Sequence, residues 1–234
     1  MRQALDIDRL AGVYARLARR YDWQHRLITA AADERGRRIL VEATVREGDQ
    51  VLDAGAGTGA TGLMAARRAG TRGHVTLFDL SDDMLAVARD KASREGLLDR
   101  MTLTTGDMVH LPFADESFDV VLSTYSLCPL YDPEAGAREL YRVARPGGKI
   151  GCAHSAEPRT TVARWLADRL ENVAWRFPGL SMGCRSVHVL PALERAGGRV
   201  RFVRLIGVPL WPFVVFVVEK PRDSPASRRR SRRR

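Results

Sequence analysis

Residues 51–59 read Val-Leu-Asp-Ala-Gly-Ala-Gly-Thr-Gly, three alternate glycines directly behind a short apolar run. A run of this kind predicts a buried strand, and glycine tolerates the left-handed angles and close ligand approach of a tight strand-to-helix turn. The helix that follows opens with unpaired amide donors, so the segment predicts a ligand-binding β-turn-α unit.

Downstream of residue 49, short β-branched runs alternate with longer helical patterns. QVLDAG is followed by a helix over 59–69, HVTLFDL by a helix over 82–95, then MTLTTGD and SFDVVLSTY, a helix over 133–144, and GGKIGCAHS. Strands alternating with helices of about 10 to 15 residues predict βαβ units and a parallel sheet covered on both faces. Residues 199–206 and 211–218, separated by a short loop containing Gly207 and Pro209, predict a terminal hairpin that adds one antiparallel strand. The second of these is apolar without alternation, which predicts a strand buried on both faces. The expected fold class is therefore α/β, a Rossmann-like doubly wound, mostly parallel seven-stranded sheet.

Ahead of the sheet, Leu5, Leu10, Tyr14, Leu17, Ala18 and Tyr21 recur at three- and four-residue steps, predicting helices within 5–45. Another helical pattern runs from Pro158 to about 176, and a shorter one ends at Gly197-Gly198. Beyond Pro221 the chain has no apolar periodicity, which predicts disorder. The expected organisation is a helical cap or lid at 1–45, an α/β body at 46–220 belonging to the same domain, and an arginine-rich tail at 221–234.

The formal charge of +10 suggests a nucleic-acid binder until its location is seen. Arg228, Arg229, Arg230, Arg232, Arg233 and Arg234 supply six of those charges, so the body is only mildly basic. The tail reads either as a solvated segment or as a weak, salt-dependent contact to RNA or anionic lipid. No stretch approaches the ~18 uncharged apolar residues of a membrane span. Arg2, Asp6, Asp8 and Arg9 interrupt the first ten residues, so no signal peptide is expected and the expected location is cytoplasmic. Cys128, Cys152 and Cys184 are odd in number and widely spaced, which predicts reduced thiols and no metal site.

Gly57, Gly59 and Gly62 also satisfy the dinucleotide pattern G-x-G-x-x-G, so an NAD(P)-dependent oxidoreductase is the first rival. Asp53 bears on that choice. At the end of a strand it would repel a pyrophosphate but suit the ammonium and sulfonium charges of S-adenosylmethionine (SAM); the other reading makes it a cap of the turn. Phe78-Asp79-Leu80 closes the second strand, where an acid accepts from the ribose hydroxyls of either cofactor. Thr105-Gly106-Asp107-Met108 closes the third, offering an acceptor for an adenine amino group and a flat thioether beside the ring. In open α/β sheets ligands bind outside the carboxyl ends of the strands, where all three acids stand.

Taken together, the segments VLDAGAGTG, FDLSDDML, GDMVHLPFADESFDVV and ELYRVARPGGKI resemble class I SAM-dependent methyltransferases. More narrowly they resemble the ubiquinone/menaquinone biosynthesis methyltransferase family, over about residues 13–220. The last two segments have no counterpart in dinucleotide dehydrogenases. The resemblance implies that Asp53, Gly55, Gly57, Thr58 and Gly59 surround the methionine part of SAM. It implies Asp79 and Leu80 at the ribose, Met84 against the adenine, Asp107 with Met108 at the adenine rim, and Ser123 near the transferred methyl. Tyr21-Asp22, followed by His25-Arg26-Leu27, resembles the family's tyrosine-aspartate lid. WQH replaces the usual asparagine-rich stretch, and LCPLYDP departs from the quinone enzymes.

The expected reaction is in-line methyl transfer to oxygen, nitrogen or activated carbon of a small apolar molecule, with no metal. Where a general base is needed, Tyr125 after the fourth strand and His154 after the fifth are best placed, with Tyr21 a third candidate. Each of Tyr125 and His154 reads equally as a buried side chain satisfied by a hydrogen bond. Tyr131 and His110 stand nearby in loops. A non-catalytic SAM- or nucleic-acid-binding protein is the second rival. Apart from the tail, no nucleic-acid partner is expected.

Overall fold

The computed structural model of the chain describes residues 6–18, 20–22, 32–158, 160–174, 186–208 and 211–222. Two helices, α1 (Ile7–Leu17) and α2 (Ala32–Thr44), precede the sheet. Then come β1 (Gln50–Ala54), α3 (Ala60–Ala69), β2 (His74–Asp79), α4 (Asp82–Arg94), β3 (Met101–Thr105), β4 (Phe118–Thr124), α5 (Pro133–Val143) and β5 (Ala144–Ser155). The chain continues through α6 (Thr161–Ala174), α7 (Leu190–Arg195), β6 (Arg199–Val208) and β7 (Trp211–Glu219).

Helix starts follow local chemistry. Asp6 accepts from the Arg9 amide at 2.8 Å, Ser81 from Met84 at 3.3 Å and Asp132 from Ala135 at 2.8 Å, the last with Pro133 at the first helical position. Each such cap satisfies an otherwise orphaned donor and contributes about 1 kcal/mol.

The seven strands lie in the order β3-β2-β1-β4-β5-β7-β6. Strands β1 to β5 run parallel, and β7 pairs antiparallel with both β5 and β6, as the terminal hairpin predicts. Because β7 lies between two strands, Phe216, Val217 and Val218 are buried, which accounts for its unbroken apolar run. Strand order reverses between β1 and β4, and a crevice opens at such a switch point.

Side chains alternate across this sheet with period two. Val51, Leu77, Val120, Leu122 and Ala153 face the core under α2, α3 and α4. Leu52, Phe78, Val121, Ile150, Cys152 and Phe216 face the core with Leu140 of α5 and Leu193 of α7. Both faces are covered, so burial rather than propensity fixes the register.

The helices expected within 5–45 are described as α1 and α2. His25, Arg26 and Leu27, Cys184, and the tail from residue 223 onward lie outside the described residues. No described helix is long and apolar enough to cross a membrane.

Candidate active site

A cavity lies outside the carboxyl ends of β1 to β4, lined on one side by Ile7, Leu10 and Tyr14 of α1. Its floor is the glycine turn. Gly55 and Gly57 adopt left-handed angles, φ +72° and +54°. A Cβ on Gly55 would stand 2.2 Å from that of Ser126, so only glycine lets the turn after β1 touch the loop after β4.

Asp79, at the end of β2, joins this turn to the neighbouring loop. Its carboxylate accepts from the Gly57 amide at 2.7 Å and the Ser81 amide at 2.9 Å. Burial pushes its pKa up, opposed by the Ser81, Gly57 and Leu80 amides. Leu80 and Met84 line the cavity beside it, together with Phe78. Beyond β3, Asp107 accepts from the Val109 amide at 3.0 Å and from the Tyr131 phenol at 2.7 Å. Asp107 and Met108 both line the cavity.

Beside the glycine turn stands Asp22, whose carboxylate accepts from the Thr58 hydroxyl and pairs with the Lys91 ammonium. Next to it Tyr21 lines the cavity, its ring centroid 6.0 Å from that of Tyr14. The tyrosine-aspartate pair thus sits over the glycine turn.

Tyr125 lines the cavity in an unusual backbone conformation, with φ +60°. A non-glycine residue in that region carries strain of order 1 kcal/mol and persists only where its surroundings hold it. Here its amide donates to Ala153 at 2.7 Å, its ring meets Phe213 edge-on at 5.2 Å, and its phenol reaches the Asp33 carbonyl at 3.4 Å. Burial pushes the phenol pKa well up, so the group stays protonated near neutrality.

Four of the expected site residues do not line the cavity. Gly59 caps α3, where a Cβ would stand 2.9 Å from that of Ala88. Ser123 is buried and bonds Ser126 Oγ at 2.7 Å, so it supports a lining residue instead. Asp53 shares the α2/α3 face with Val51, because side chains two apart on a strand point the same way. It is fully buried, neither carboxyl oxygen finds a well-formed hydrogen bond, and burial pushes it up to about 7 against the pull of Arg37.

His154 lies on the opposite face with Ile150 and Cys152, only 3% exposed, its ring 5.7 Å from Phe216. Its Nδ1 bonds the Ser155 carbonyl at 2.9 Å, and burial pushes its pKa down to about 4. It is a neutral core histidine.

Residues 51–148 match a family of methyltransferase domains. The chain is 32% identical over 162 residues to the ubiquinone/menaquinone biosynthesis C-methyltransferase UbiE of Shewanella woodyi, covering 69% of this chain and 64% of that protein. It is 35% identical over 165 residues to the UbiE of Xanthomonas oryzae pv. oryzae, covering 70% and 64%. The chain thus matches slightly less than two thirds of the length of these curated relatives. In fold it is similar to the [4+2]-cyclase SpnF, with TM-score 0.66, 22% identity and 82% of each chain covered. The matched segment runs from the glycine turn through both cavity acids to the start of β5, and the chain carries a class I SAM-dependent methyltransferase domain related to those of ubiquinone/menaquinone biosynthesis.

Proposed function

We propose that the protein transfers the methyl group of SAM to oxygen, nitrogen or activated carbon of a small apolar molecule. The observation that carries this reading is the cavity at the switch point, with Asp79 accepting from the Gly57 amide of the glycine turn and the Ser81 amide of its own loop, and Asp107 one strand further out. That pattern suits a ribose diol followed by an adenine amino group, with Met84, Met108, Leu80 and Phe78 as the apolar slot for the base. The relatives are named C-methyltransferases, which favours SAM over a nicotinamide cofactor.

SAM supplies a methyl group on a leaving group that is already activated. The residues of this chain then have to bind, align and exclude water. Proximity of that kind supplies roughly 7 to 11 kcal/mol. Tyr21, fixed beside the Asp22 pairing, and α1 cover the cavity from solvent. Leu10, Pro129 and Leu130 add an apolar wall to the cavity, which suits a small apolar acceptor.

Of the three expected bases, Tyr125 holds its phenolic proton and His154 stands outside the cavity, which leaves Tyr21, a lining residue, as the candidate for an acceptor that needs a proton removed. Incubation with methyl-labelled SAM and a panel of phenols, quinols, enols and amines tests the reading, with label expected in one class. Tight SAM binding with no label in any class, alongside conversion of a substrate by ring closure, would overturn it in favour of a non-transferring enzyme on the same fold.

A further inference from the structure

Two cations approach the cavity from different elements. Arg37 of α2 lines it, and its Nη1 donates to the Thr61 hydroxyl at 2.8 Å and the Thr124 hydroxyl at 2.7 Å. Lys91 of α4 stands outside the lining. Met84, Ala88 and Lys91 are spaced i, i+4 and i+7, so they share one face of α4. That face begins at the cavity with Met84 and passes Gly59 at Ala88. It ends at the glycine turn, where the Lys91 ammonium donates to the Thr58 carbonyl at 3.1 Å and to the Asp22 carboxylate. The other oxygen of Asp22 accepts from the Thr58 hydroxyl. Lysine, aspartate and threonine thus close a ring in which each bonds the other two.

This clasp acts on the cavity through the chain. Asp22 and Tyr21 are neighbours, their Cα atoms about 3.8 Å apart, so holding the carboxylate confines the tyrosine that lines the cavity. Tyr21 in turn packs beside Tyr14 of α1. A lysine suits such a junction, because one point charge on a flexible stem offers several donors. The side chains of Lys91 and Asp22 are 27% and 49% exposed, which leaves the pair open to salt and able to part and re-form. On the reading of the cavity as a SAM site, we propose that Lys91 is a positioning residue that holds Tyr21 over the cavity through Asp22 and so sets the rate at which the cofactor and its product leave.

Stopped-flow release of S-adenosylhomocysteine from the whole protein, joined to amide hydrogen exchange of the ligand-free protein, tests this. Lys91→Met keeps the stem and removes the ammonium. It is expected to speed release roughly three- to tenfold, between the effect of an exposed ion pair and that of a hydrogen bond to a charged group. Asp22→Asn should do the same, since its amide still accepts from Thr58 but no longer attracts Lys91. The double variant should then release no faster than the quicker single one, and Lys91→Arg should restore most of the wild-type rate. Raising salt from about 0.05 to 0.5 M should speed release from the wild-type protein and leave Lys91→Met nearly unchanged. Effects that multiply in the double variant overturn the proposal, because Lys91 would then only brace the glycine turn through the Thr58 carbonyl. Release at the wild-type rate in Lys91→Met overturns it too. In the exchange measurement Lys91→Met should lose protection at α1, Tyr21 and Asp22 while β1 to β4 keep theirs; unchanged protection there, or loss spread evenly over the sheet, contradicts the clasp. If the wild-type protein does not bind S-adenosylhomocysteine, the SAM reading itself has failed, and the exchange result alone still decides whether Lys91 holds this segment.

Discussion

Tyr131, 44% exposed, donates its phenol to Asp107 at 2.7 Å, so the loop after β4 reaches across the cavity rim to the acid after β3. On the proposed reading the same carboxylate accepts from the adenine amino group, so that phenol and ligand would share or compete for its oxygens.

Asp107→Ala is accordingly expected to weaken SAM binding by about 1.5 to 3 kcal/mol, whereas Tyr131→Phe should leave it unchanged or slightly tighter. Titration of both variants checks this. Weaker binding in Tyr131→Phe would mean that the phenol contacts the ligand directly.

Asp79 has two tasks, since it also satisfies the Gly57 and Ser81 amides. Asp79→Ala should lower SAM affinity by about 1.5 to 3 kcal/mol and the unfolding free energy by about 1 to 3 kcal/mol, the cost of stranding buried donors. Asp79→Asn keeps one acceptor and should recover part of the stability. Urea unfolding separates the two losses, and full SAM affinity in a folded Asp79→Ala would remove this acid from the site.

Two buried groups on opposite faces of the sheet give opposite pH dependence. His154 is held down to about 4 from 6.5 by burial, so its neutral form is stable above pH 6.5 and stability is lost as pH falls toward 4. Asp53 is pushed up to about 7 from 3.8, so stability is lost as pH rises from about 4 toward 7. Each effect is of order 3 kcal/mol. The two offset in the wild-type protein. Asp53→Asn should therefore gain stability steadily from pH 4.5 to 6.5, and His154→Gln should lose it over the same range. Parallel slopes in the two variants would contradict these assignments.

Were Tyr125 a general base, Tyr125→Phe would cost about 10² to 10⁴ in rate. Its phenol is buried and protonated, and its ring, which meets Phe213 and Arg37, survives the substitution. Turnover within about threefold of wild type is expected. A hundredfold loss with normal SAM affinity would restore the phenol to the chemistry.

The sheet and its switch point were legible because alternating strand and helix patterns translate directly into parallel βαβ units. The positions at strand ends were legible too, but not the faces they present. Asp53 points under α3 and His154 beneath α5 and α7, outcomes that follow from counting in twos from Val51 and from Ile150. Arg37 was hidden for a different reason. It sits in Asp-Glu-Arg-Gly-Arg-Arg, a charge run of the sort that usually faces solvent, and only the packing of α2 against the end of β4 buries it. The left-handed Tyr125 has no local signature, because its conformation is imposed by Ala153 and Phe213, which are distant in sequence. Nor does the fold choose the reaction, as the similarity to a cyclase shows.

The most direct test is calorimetric titration of the purified protein with SAM, S-adenosylhomocysteine and NADH in parallel. Micromolar binding of the first two with none of NADH is the predicted result; binding of NADH alone would contradict the account, leaving Asp79 and the glycine turn as parts of a dinucleotide site.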